Sequence, residues 1–165
     1  MYVSGIDPTS VRTSTEGPEY GLGQVGFNAT SAGVKGYIYV KDYGAAITGD
    51  GYVAVVDGSD FTAIMASTTT TAPGTGAGKL AGVARAAIAA SGYGWLQVFG
   101  AGTVRANALC AAYTLINSTG TAGQLDDDAT AGAEVIDGIA LDAAVGGAAA
   151  TAAGFINWPK VGRTL

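Results

Sequence analysis

The chain contains no histidine and a single cysteine, Cys110. The first absence removes imidazole acid–base catalysis, histidine-dependent triads and histidine metal sites. The second leaves no intrachain disulfide and no thiolate cluster. Between Leu109 and Ala111, Cys110 reads as a small buried apolar residue rather than a nucleophile. Basic residues are few: 8 Lys and Arg against 13 Asp and Glu give a net charge of −5. Their even spread argues against a nucleic-acid partner. Long hydrophobic runs are missing as well. Residues 1–25 carry no signal-like apolar stretch, and the Ala/Gly-rich run 143–156 is too short to span a bilayer. The expectation is a soluble protein with no membrane partner, made without a secretion signal.

Large side chains are scarce. Ala and Gly fill over a third of the 165 residues. Burial at about 25 cal/mol/Å² therefore yields less here than in a Leu-rich chain, and the 27 glycines lose the most backbone entropy on ordering. A core this thin suggests stabilisation by a partner or by self-association. The modest charge and positive mean hydropathy still favour folding over disorder.

What is present is mostly a β pattern. Residues 1–33 are punctuated by Gly5, Pro8, Gly17, Pro18, Gly21, Gly23 and Gly26, so no period persists, and they read as an extended N-terminal arm. The arm carries spaced apolar residues: Ile6, Val11, Leu22, Val25 and Phe27. Residues 34–165 read as a β-rich domain. Tyr37–Val40, Tyr52–Val56, Phe61–Ala66 and Trp95–Phe99 are strand candidates. Gly49-Asp50-Gly51 and Asp57-Gly58 are turns, in which each aspartate satisfies backbone N–H groups. Gly100 to Arg105 reads as a bulged continuation of the Trp95 strand, and Ser118–Gly123 as a hairpin turn. Residues 80–90 are Ala-rich enough for a helix ended by Gly92, or form a short strand over 82–86 followed by a turn. A weak internal repeat favours the strand. Gly82-Val83-Ala84-Arg85-Ala86-Ala87 recurs 56 residues later as Gly138-Ile139-Ala140-Leu141-Asp142-Ala143. Units resembling Tyr52–Val56 and Trp95–Phe99 recur around the second copy, at Tyr113–Asn117 and Ala153–Trp158. The fold expected is mainly β, a small β-barrel or sandwich with short strands.

Catalytic and metal motifs are weak. Asp126-Asp127-Asp128 lacks the spacing of a calcium loop and reads as a solvated acidic turn, with EDTA expected to leave stability unchanged. Gly74–Lys79 superficially resembles a phosphate-binding loop but lacks its spacing and the Ser or Thr after the lysine. A dyad of Lys79 with Ser67 or Ser91 has no supporting context. No catalytic residue, metal or cofactor is expected. Tyr93, Trp95 and Phe99 alternate on a strand and share one face, where they either contact another subunit or pack in the core.

Three segments then carry a resemblance: Ser4-Gly5-Ile6-Asp7-Pro8-Thr9-Ser10-Val11, the run from Gly82 through Tyr93-Gly94-Trp95-Leu96-Gln97-Val98, and Leu125-Asp126-Asp127-Asp128 with Gly138-Ile139-Ala140-Leu141. Together they resemble the head-decoration (capsid cement) proteins of tailed bacteriophages. The resemblance implies a non-enzymatic virion protein on the outer surface of the expanded capsid. Its partners would be the major capsid protein and itself, as a homotrimer, with an N-terminal arm lying on the shell. The arm residues expected to bind the capsid are Ile6, Pro8, Val11, Leu22 and Phe27. Tyr93, Trp95 and Phe99 are the candidate subunit contact. The alternative is a phage surface or fibre module binding a host glycan through Tyr93, Trp95 and the Thr-rich loop at 68–71.

Overall fold

The computed structural model describes residues 2–75 and 80–164. Its eleven strands are β1 Tyr2–Ser4, β2 Val25–Thr30, β3 Gly33–Asp42, β4 Val53–Val56, β5 Thr62–Met65, β6 Leu80–Ala84, β7 Tyr93–Ala106, β8 Asn117–Ser118, β9 Leu125–Asp126, β10 Glu134–Leu141 and β11 Ala150–Thr164. The fold is mainly β, and no helix forms among the described residues. Residues 80–84 are strand: Gly82 faces Ala54 and Val83 faces Val53 across an antiparallel ladder. The Ala run that follows leaves the ladder and turns, and Ile88 bridges back to Ile47.

The ladders close on themselves twice, in the same way. In the first circuit β3 pairs parallel with β5, and β5–β4, β4–β6, β6–β7 and β7–β3 are antiparallel. In the second, β7 pairs parallel with β9, and β9–β8, β8–β10, β10–β11 and β11–β7 are antiparallel. Each pairing of the second circuit is the first advanced by four strands, with β7 common to both. The faint repeat at an offset of 56 is thus a repeat of topology, with its copies on β6 and β10. Ile38, Val40, Val56, Leu96 and Val98 form a cluster drawn from the first circuit; Ile116, Leu125, Ile136, Leu141 and Ile156 of the second form another, which Val53 and Val55 of β4 and Ala81 and Val83 of β6 also join.

Two expectations change. The strands are not uniformly short, because β7 and β11 run 14 and 15 residues. β7 needs that length to serve both circuits: residues 93–99 pair with β3 and 99–106 with β11. The arm boundary at residue 33 also falls inside a hairpin, since β2 pairs with β3 from Val25↔Ile38 to Thr30↔Gly33. Sparse apolar residues and frequent glycines concealed β2, which draws its partners from β3 rather than from its own pattern.

Candidate functional site

The arm residues lie at different depths. Ile6 is buried with Tyr37, Tyr39 and Trp95. Pro8 is half-buried in a turn held by Asp7, whose Oδ1 accepts from Thr9 N–H and Oγ1–H at 2.9 and 2.7 Å. Phe27 lies on β2 opposite Gly36. Only Val11 and Leu22 are exposed. Residues 2–24 are fastened to the body by β1 pairing with β2 and by an Arg12–Tyr93 bridge. Tyr20 adds its ring, 5.0 Å from Trp95 and 5.3 Å from Tyr39.

Tyr93, Trp95 and Phe99 do not share a face. Tyr37 faces Gln97 but Gly36 faces Phe99, so β7 carries one extra residue at that step and the alternation breaks. Trp95 is 1% exposed, 4.9 Å from the Tyr39 ring, while Tyr93 stacks on Tyr39 at 6.5 Å. Phe99 instead meets Phe155 edge-to-face at 5.7 Å. The core alternative holds for Trp95. The bulge is stitched by Gln97, whose buried Nε2 donates to the carbonyls of Phe99, Gly100 and Ala101, each at 3.1 Å.

The exposed apolar surface lies elsewhere. Leu109, Tyr113 and Leu115, on the connection from β7 to β8, are 76%, 80% and 62% exposed. Phe155 and Trp158 stand exposed on β11. Leu109, Tyr113 and Trp158 have φ of 67°, 61° and 48°, the left-handed region that non-glycine residues avoid. The connection is nonetheless pinned. Leu109 N–H donates to the Gly146 carbonyl at 2.8 Å and Tyr113 N–H to that of Leu141 at 3.0 Å. Tyr113 Oη–H also donates to the Asp142 carbonyl at 3.1 Å. No periodic pattern marks Leu109 and Tyr113 in sequence, because their outward pose follows from backbone hydrogen bonds to residues about 30 positions away.

A cleft of about 320 Å³ opens beside the β4–β5 turn, lined by Tyr43, Asp57, Asp60, Thr62, Thr69 and Thr70 among others. Asp57 Oδ1 accepts from Ser59 N–H and Oγ–H at 2.8 and 2.6 Å, as a turn aspartate should. Those bonds hold its carboxyl below the usual carboxylate range. Asp50 departs from the turn expectation. It pairs with Arg85 at 3.3 Å, and Thr103 Oγ1 donates to it at 3.2 Å. Arg85 also donates to the Thr103 carbonyl at 2.6 Å. Burial lowers the Arg85 pKa, and Asp50 opposes that shift.

Asp126–Asp128 is not a plain solvated turn. Asp126 belongs to β9, and its Oδ2 accepts from Asn107 Nδ2 at 2.8 Å. The carboxylates of Asp126 and Asp127 converge with the Cys110 thiol, all three within 4.8 Å of one another. Burial pushes that thiol up to about 11, opposed by an Asp127 backbone hydrogen bond and reinforced by the Asp127 and Asp126 charges. The fifteen residues between Cys110 and Asp126 hid this grouping in the sequence. The Gly74–Lys79 segment and the Lys79 dyads extend outside the described residues.

Comparison with family models, with curated proteins and with solved structures finds no match.

Proposed function

We propose that this chain is a structural virion protein, not an enzyme, that binds the outer surface of an expanded phage head and reinforces contacts between neighbouring major capsid proteins. The motif resemblance to head-decoration proteins supports the reading, and one structural observation carries it. Leu109, Tyr113 and Trp158 hold large apolar side chains in solvent on left-handed backbone. Such backbone costs about 1–3 kcal/mol per residue. Hydrogen bonds to Gly146, Leu141 and Asp142 hold the backbone at Leu109 and Tyr113, but they leave the apolar side chains in water, and a partner surface that covers them removes that exposure. Val11 and Leu22 are the arm residues whose side chains are exposed. Three-fold positions of the shell favour a homotrimer, since closed symmetry buries surface on every copy without open-ended growth.

Co-sedimentation of the purified protein with expanded, undecorated heads tests the proposal. Saturable binding at micromolar protein is expected, and failure to bind at that concentration overturns it.

A second reading, a module that binds a host glycan, is favoured by the cleft at Tyr43. An exposed aromatic ring beside two carboxylates and several threonine hydroxyls suits a polyol. Trp95, being buried, offers no stacking surface. Glycan-array binding that disappears in Tyr43→Ala would favour this reading over the first.

A further inference from the structure

We infer that Cys110, Asp126, Asp127 and Asn117 form a binding site for one divalent transition-metal ion of zinc type, set at the β8–β9 pair. The three charged or ionisable ligand atoms already lie within 4.8 Å of one another. Around an ion bound at zinc distances, tetrahedral donors stand about 3.3–3.8 Å apart, so the group must close by about 1 Å. One thiolate sulfur with oxygen donors selects a borderline cation over calcium or magnesium, which take oxygen alone.

The independent observation is Asn117. It is 2% exposed, and its Oδ1 has no hydrogen-bond partner. Asn117 lies directly opposite Asp126 in the β8–β9 ladder, which puts both side chains on one face of the sheet. Its Nδ2 donates to the Asp127 backbone carbonyl at 3.4 Å, which keeps the amide beside the two aspartates. A buried amide oxygen left unpaired is unfavourable, and a cation is the partner that would also neutralise two adjacent carboxylates. Among the described residues no Lys or Arg forms an ion pair with either one.

The surroundings are those of a supported site. Asn107 Nδ2 and Asp127 N–H donate to the two oxygens of Asp126 at 2.8 and 2.9 Å, fixing its orientation while leaving lone pairs for an ion. Ligation breaks the Cys110 S–H bond, forms a sulfur–metal bond and releases the proton to solvent.

Cobalt(II) titrated into the reduced, chelator-stripped full chain reads the site directly. A near-ultraviolet thiolate-to-cobalt band saturating at one equivalent is expected, and zinc(II) should abolish it by displacement. Cys110→Ser should eliminate the band. Asn117→Ala should weaken cobalt binding by at least about tenfold. Should that variant misfold by circular dichroism, Asn117→Asp serves instead and should bind at least as tightly as the parent. No band in excess cobalt, or an undiminished band in Cys110→Ser, overturns the assignment. The readout involves neither capsids nor glycans, so it stands or falls apart from the proposed function.

Discussion

Gly100 shows how much one residue can hold. Its φ is 97°, and a Cβ there would fall 2.5 Å from the Val34 carbonyl oxygen. No L side chain is comfortable at that backbone angle, and the obstacle is backbone that has nowhere to move. Gly100→Ala should lower stability by about 2–4 kcal/mol, measured by urea unfolding. Gly146→Ala, with nothing within 4 Å and no left-handed φ, should change it by less than about 0.5 kcal/mol. Cys110 makes a different prediction. Burial raises its pKa from 9.0 to about 11, so the folded state holds the thiol proton more tightly than the unfolded chain. That stabilisation is complete below pH 9 and is lost as pH rises through about 11. The Tyr37 and Tyr39 hydroxyls, raised mainly by burial, act in the same direction. Thermal melts of the metal-free protein should therefore fall on the alkaline side, less steeply in Cys110→Ala. A melting temperature flat through that range would contradict the burial of these groups.

At the scale of elements, β7 decides the architecture. It supplies a wall to each circuit and changes partner at its bulge, where Gln97 and Gly100 sit. The N-terminal segment covers β7 from outside through Ile6, Tyr20 and Trp95. Removing residues 1–24 should leave both circuits closed but expose Trp95 and Tyr39. Folding should persist with a lower urea midpoint, and tryptophan emission should shift to the red. If the midpoint and emission were those of the full chain, the segment would be an appendage and its burial of Trp95 of no consequence.

For the whole molecule, the two circuits share β7, and large apolar side chains remain outside the buried clusters. Tyr113→Glu with Leu115→Glu places charge on two solvent-exposed side chains of the proposed shell contact. Head binding should fall at least about tenfold, the size expected when one or two contact side chains are lost, with the melting temperature nearly unchanged. Analytical ultracentrifugation with imaging of decorated heads should find trimers at three-fold positions. Single copies without mutual contact on the shell would exclude the trimer.

The amino-acid order alone determined the class of fold and much of its punctuation. The β-branched and aromatic runs Tyr37–Val40, Val53–Val56 and Trp95–Val98 are a local property, and turn residues such as Asp57-Gly58 act within a few positions. The missing histidine likewise restricts the chemistry before any folding. Even the repeat was legible, because Gly82 and Gly138 occupy equivalent strands. Tertiary structure alone decided which residues meet. Pairing partners and bulges are non-local: one extra residue in β7 separated Phe99 from Trp95, and β2 became a strand only because β3 lay beside it. The convergence of Cys110 with Asp126 and Asp127, and the outward pose of Leu109 and Tyr113, required strands distant in sequence to fix where each backbone group finds its hydrogen bond.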